Sequence, residues 1–155
     1  MSRSIVGLLL VLLIASPDFA NEQPVDETTT DVKQVSEGQD GILKKVETEV
    51  VRLTNKFRAR FGRPPLKIDV RLVETAKRHC KWMTKARRMV HSRLFAPVCA
   101  ENIAMGQRSA EQVVNAWINS KGHRANMLRS SHQTIGVAAY QTPGGTIYWC
   151  QQFGR

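Results

Sequence analysis

The sequence predicts an α+β domain in which helices cover a small antiparallel sheet, and three observations carry that prediction. Apolar residues recur at spacings of three and four from Leu43 to Phe61, and again from Leu72 to Met83, the period of helices that bury one face. The C-terminal stretch is instead rich in β-branched and aromatic residues, in two runs either side of Pro143-Gly144-Gly145, a turn signal between antiparallel strands. With 155 residues the chain has room for one core and not for a second of ordinary size.

Taken in order, the first 20 residues read as an export signal: Arg3, then an apolar run from Ile5 to Ala15, then small and polar residues, with cleavage after Ala20 or Ala15. As a helix that run would span about 16 Å, roughly half of a bilayer's hydrocarbon core, so export is the stronger reading than a permanent span. No cysteine follows it, which argues against a lipoprotein anchor. Residues 21–41 are acidic, rich in Thr and Gln and without apolar period, and read as a flexible linker. The domain proper is expected over 42–155. Its first helix carries Leu43, Val46, Val50, Leu53, Phe57 and Phe61 and is stopped by Gly62 and Pro64-Pro65; the following P-P-L-K-I-D is read as a loop. Asp69 is a good N-cap for a second helix, with Leu72, Ala76, Cys80 and Met83 inward and an end near Arg88. Ser109 and Gln112 make a capping box for a third helix over 110–120, which Gly122 closes. Strands over 134–140 and 146–153 complete the set. Trp117, Trp149 and Phe153 are expected in the core, and Trp82 is the candidate for partial exposure.

Charge divides the chain. Residues 1–41 hold two of the 23 basic and seven of the 13 acidic residues, which leaves 21 basic and six acidic residues in 42–155, a net charge near +15. Such a field attracts anionic wall polymers, acidic polysaccharide or lipid headgroups outside a cell, or it serves only as a self-repelling, soluble surface. Aromatic residues do not interleave with the basic ones along the chain as they do in single-strand nucleic-acid grooves, so no specific nucleic acid is expected, and a monomer is. Three cysteines, Cys80, Cys99 and Cys150, allow one disulfide in an exported chain. Cys99 with Cys150 is the favoured pair, since each adjoins a motif of the presumed cleft, and Cys80 is expected as a buried thiol on a helix.

The motifs with chemical content are His91-Ser92, Glu101-Asn102-Ile103, the string W-x-x-S-x-G-H-R-x-N-M-L from Trp117 to Leu128, and Tyr148-Trp149-Cys150-Gln151. Imidazole is the natural zinc ligand and acid–base group near neutral pH, and a carboxylate can orient it. Four separated motifs in this order resemble the bacterial branch of the CAP superfamily, which also holds cysteine-rich secretory proteins, insect antigen 5 and plant pathogenesis-related proteins. The resemblance covers about 42–155 and implies an α-β-α sandwich with His91, Glu101 and His123 lining one cleft. It departs from the eukaryotic pattern at Ser120, where those members usually place a second glutamate; a hydroxyl is a poorer cation ligand and no base near pH 7. Asn102 and Asn126 are expected to tie loop backbone to the cleft wall more than to contact a substrate, and Arg124 could do either, as a fork donor to a carboxylate or a phosphate. His79 and His132 default to solvent.

Three functions are compatible with these residues. The first is a secreted module whose cleft (His91, Glu101, Ser120, His123, Asn126) binds a ligand or divalent cation while its basic surface binds an anionic partner. The second is a zinc-dependent extracellular hydrolase held by His91 and His123, with Glu101 as a further ligand or base. The third is a stable interaction domain whose cleft does no chemistry. No H-E-x-x-H, no G-x-S-x-G and no nucleophile with an evident base is present, so turnover is not the expectation.

Overall fold

The computed structural model describes residues 45–155, so the expected export signal, the acidic linker and the start of the first apolar stripe lie outside the described residues. Helix α1 covers 45–59, and there follow β1 (Lys67–Ile68), α2 (Val70–Ala86), β2 (Ala100–Met105), α3 (Ala110–Asn119), α4 (Lys121–Leu128), β3 (Thr134–Gln141) and β4 (Ile147–Gly154). The strands form one sheet in the order β1-β3-β4-β2. Its two long ladders, β3 with β4 and β2 with β4, are antiparallel; the first is the expected pair, and β2, carrying the Glu101 motif, is a strand the sequence did not mark. The sheet is nonetheless mixed, because β1 runs parallel to β3. The segment read as a loop hydrogen-bonds the start of β3, with Lys67 N–H donating to the Gln133 carbonyl and Asp69 N–H to that of Ile135. Two residues of strand are too few to show a period of two.

Alternation along the strands divides the core in two. On one face, Ala76, Cys80 and Met83 of α2 pack on Ile103, Ala138, Tyr148 and Cys150. On the other, Val50 and Phe57 of α1, Val113 and Trp117 of α3 and Met127 of α4 pack on Ile135, Val137, Trp149 and Phe153. The result is an α-β-α sandwich. Helix α2 lies unusually close to β3: a Cβ on Gly136 would meet the Leu72 backbone carbon at 2.2 Å, so only glycine fits beneath that turn. Its start is fixed by Asp69, whose carboxylate accepts the Arg71 N–H at 2.9 Å. It closes on Arg87 in the left-handed region (φ 51°).

Several expectations are corrected. Gly122 does not end the helical stretch; the chain turns at Ser120 and re-enters a helix, with Arg124 N–H donating to the Ser120 carbonyl at 2.8 Å, and Gly122 falls in the first turn of α4. Phe61 lies beyond the end of α1, is 54% exposed, and meets Phe57 edge-on at 5.1 Å. His132 is buried rather than solvated, its ring stacked on Phe153 at 5.1 Å and one ring nitrogen bonded to the Asn126 carbonyl at 3.1 Å. His79 is also largely covered, its side chain only 12% exposed. The Cys99–Cys150 bridge is not formed, and all three cysteines are free thiols. The ladder explains this. Ala100 stands opposite Phe153 and Ile103 opposite Cys150, so Cys99 and Cys150 sit four positions apart along the strands, or about 13 Å, well beyond disulfide reach. Cys80 is buried as expected, and burial pushes its thiol up to about 12.

Arg58 holds the two ends of this layer together. On the α1 pattern it reads as an outward-facing cation, yet it is wholly buried. Its guanidinium donates to the carbonyls of Pro64 (2.9 Å), Met127 (2.6 Å), Arg129 (3.2 Å) and His132 (3.3 Å). It thereby satisfies the carbonyls that the C-terminus of α4 leaves open and places a positive charge at the negative end of that helix.

Candidate functional site

The site is built on two cross-strand pairs at neighbouring positions of the β2–β4 ladder, Glu101 opposite Gln152 and Asn102 opposite Gln151. Successive residues of a strand face opposite sides, so the two pairs feed two hydrogen-bond networks, one on each face of the sheet. β2 is an edge strand, and chain from both faces meets around it.

On the α2 face, Glu101 is 4% exposed and accepts four hydrogen bonds from N–H and O–H groups and a fifth, weaker one from the Cys150 thiol. Oε1 takes His91 Nδ1–H and the Ser92 backbone N–H, both at 2.9 Å. Oε2 takes the Ser92 hydroxyl at 2.6 Å and Gln152 Nε2 at 2.9 Å. Gln152 is itself oriented by the Thr75 hydroxyl of α2, which donates to its Oε1 at 2.6 Å. Burial works against ionisation of Glu101, but the Ser92 hydroxyl, the Gln152 amide, the Ser92 N–H and His91 outweigh it and hold the carboxyl below its ordinary range. The carboxylate therefore fixes the loop that carries His91 and sets the tautomer of its ring. With Nδ1–H directed at Glu101, Nε2 of a side chain that is 58% exposed is left to face solvent. The same carboxylate faces Cys150 Sγ at 3.6 Å, where burial and the nearby negative charge push that thiol well up.

On the opposite face, Asn102 Nδ2 donates to the Gln151 side-chain oxygen at 3.0 Å and to the His123 carbonyl at 3.2 Å. Gln151 Nε2 in turn donates to Thr54 of α1 at 2.9 Å. Asn126 Nδ2 donates to the Glu101 carbonyl and to Asn102 Oδ1. Both asparagines thus play the backbone-tying part expected of them, and they clamp α4 to β2. The clamp places His123 beside the His91 loop: burial first, and the neighbouring His91 second, lower the His123 pKa. His123 is accordingly a neutral imidazole near pH 7, able to accept a proton or a cation through a ring nitrogen.

His91 and Glu101 are in direct contact, whereas His123 is tied to β2 through its backbone carbonyl and senses His91 only through its charge. Glu101 is committed to five donors, the Cys150 thiol the weakest, and among the described residues no three His, Cys, Asp or Glu side chains converge as a metal-holding set. A catalytic zinc takes three protein ligands, and this donor set fits it poorly. Ser120 makes no side-chain cap to α4 and serves through its backbone, its N–H donating to the Trp117 carbonyl. Arg124 folds back onto the Ile118 carbonyl at 3.0 Å. Beside the site, on the α2 side, lies a cavity of about 370 Å³ bordered by Thr75, Arg78, His79, Ser92, Arg93 and Gln152, among others. His91 and His123 are not part of its wall.

Residues that the sequence did not single out complete the site. His79 Nε2 bonds the Val90 carbonyl at 2.8 Å, lies 3.9 Å from Glu101, and stacks on Trp82 at 5.8 Å, so it braces the His91 loop from α2. Ser92 and Gln152 hold Glu101, and Thr75 orients Gln152. The available signal was a pair of adjacent glutamines inside an otherwise apolar strand, since a buried polar side chain requires partners.

A sandwich with a histidine-lined edge anchored by an E-N motif defines the class, and comparison with known proteins agrees. Residues 51–153 match the model of the CAP, or cysteine-rich secretory protein, family, and the chain belongs to that family. It is 36% identical over 121 residues to the uncharacterized protein YkwD of Bacillus subtilis, a match covering 69% of this chain and 46% of that one. It is 28% identical over 112 residues to the uncharacterized membrane protein YlbC of the same organism, covering 61% of this chain and 32% of that one. The chain thus spans less than half the length of these curated relatives. In fold it is similar to an extracellular SCP-domain protein of Bacillus anthracis (TM-score 0.66, 23% identity, 86% of this chain and 45% of that one). It is also similar to an outer surface protein of Borrelia burgdorferi (TM-score 0.63, 18% identity, 72% and 93%).

Proposed function

We propose that this CAP-domain protein acts outside the cytoplasm as a binding module. Its His91–His123 cleft takes a small ligand or divalent cation, and its basic surface engages an anionic extracellular partner. The observation that carries the reading is the saturation of Glu101. A carboxylate that accepts five donors aligns an imidazole, and it is poorly placed to activate water or to complete a zinc site. What the edge offers a ligand is two imidazoles. Export is supported by the charged and apolar pattern of the first 20 residues and by the extracellular description of the B. anthracis relative. Among the described residues no helix is long and apolar enough to cross a membrane.

The test is a zinc titration of the chain by calorimetry at pH 7.4, beside a His91→Ala, His123→Ala double variant. Stoichiometric binding in the parent that disappears in the variant supports the two-imidazole site. Equal binding by both, or none by the parent, removes the cation from the proposal. The hydrolase reading would show instead as a hydrolytic activity that a chelator abolishes.

A further inference from the structure

Nine large apolar side chains are exposed among the described residues, and five of them fall between 82 and 95: Trp82, Met89, Val90, Leu94 and Phe95. Scattered exposed apolar residues need no explanation, but a contiguous group marks an interaction surface. Trp82, Val90 and Phe95 are joined through His79, which stacks on Trp82, bonds the Val90 carbonyl, and borders the same cavity as Arg93 and Phe95, while Met89 and Leu94 adjoin Val90 and Phe95 in the chain. Phe95 is the most exposed of them, at 71%.

Along the chain that carries this group the charge has one sign, and the Glu101 carboxylate beside His79 is buried. Every charged residue between 75 and 100 is basic. Among the described residues, Arg78, Lys81, Lys85, Arg87, Arg88 and Arg93 form no ion pair, since the one lysine of this stretch that does is Lys77, with Glu74. Arg78 and Arg93 border the 370 Å³ cavity beside Phe95, which gives a phosphate-sized group a seat between two guanidinium forks.

We propose that the loop 87–98 and the Trp82 side of α2 form a docking surface for a bilayer containing anionic phospholipid. Trp82, Leu94 and Phe95 enter the boundary between headgroups and acyl chains, and the unpaired cations meet the phosphates. The inference rests on the reading that the basic surface seeks an anionic partner, and it names that partner and the surface. A soluble polyanion would satisfy the cations and leave Met89, Leu94 and Phe95 in water, whereas an anionic interface satisfies both kinds of side chain. Docking this way brings His91, four residues before Phe95, to the lipid surface.

The protein carries its own probe. Of its three tryptophans, Trp117 and Trp149 are fully buried and Trp82 is 48% exposed, so a quencher attached to lipid reaches Trp82 alone. The full chain is mixed with vesicles of phosphatidylcholine, with or without phosphatidylglycerol, carrying a nitroxide near the headgroup end of one acyl chain. Quenching with the anionic vesicles is expected, with none in Trp82→Phe. A Leu94→Ser, Phe95→Ser variant should lose at least about tenfold in vesicle affinity while keeping its affinity for soluble polyphosphate. Because the readout is local to Trp82, an anchor formed by the apolar run near the N-terminus would not mimic it. Vesicle binding without quenching of Trp82 overturns the proposal. Binding to polyphosphate or single-stranded DNA alone also overturns it, while leaving the basic-surface reading intact. Binding to none of these defeats both.

Discussion

Replacing Glu101 by glutamine changes one atom and tests the architecture of the site. Glu101→Gln turns one acceptor oxygen into an NH2 group that must face at least two strong donors: either Ser92 Oγ and Gln152 Nε2, with the weaker Cys150 thiol beside them, or His91 Nδ1 and the Ser92 N–H. Hydrogen bonds to a charged acceptor contribute about 1.5–3 kcal/mol each. Two are lost outright and the other two become neutral, while rotation of the Ser92 hydroxyl or a tautomer change at His91 recovers part. The expected net destabilisation is about 2–4 kcal/mol, read from urea denaturation at pH 7. The pH dependence gives an independent sign. The native carboxyl titrates below its ordinary value of 4.5, so its contribution is complete above about that pH and is lost as pH falls through the depressed native value. The gap between parent and variant should therefore be constant from pH 6 to 7 and close on acidification below about 4.5. A variant within about 0.5 kcal/mol of the parent at pH 7, or a gap unchanged at pH 3, would refute the reasoning.

Arg58→Met removes a buried fork that serves four carbonyls and leaves those at the end of α4 without partners. It should cost at least about 3 kcal/mol and raise amide exchange in α4 more than in α2, measured by hydrogen–deuterium exchange. His91→Ala removes the smaller of the two influences that lower the His123 pKa and leaves the larger, burial, so that pKa should rise part of the way towards its ordinary value in an NMR titration. No change would separate the two rings and dissolve the cleft.

The sequence by itself determined the fold class, most helix bounds and which large side chains fill the core. Those features follow from local chemistry: apolar period, caps at Asp69 and Ser109, and the turn at Pro143-Gly144-Gly145. It also supplied the identities of His91, Glu101 and His123 through the family motifs, and the anchoring part of Asn102 and Asn126. Tertiary structure alone decided what these residues do. The β2–β4 register puts Glu101 beside Gln152 and sets Cys99 about 13 Å along the ladder from Cys150, and register joins residues some 50 positions apart that no local pattern connects. The same holds for Arg58, whose partners lie about 70 residues away at the end of α4, and for His132, covered by a strand that follows it. A charged or polar side chain reads as solvent-facing until the fold brings it partners, because burial is then offset by hydrogen bonds supplied from elsewhere in the chain.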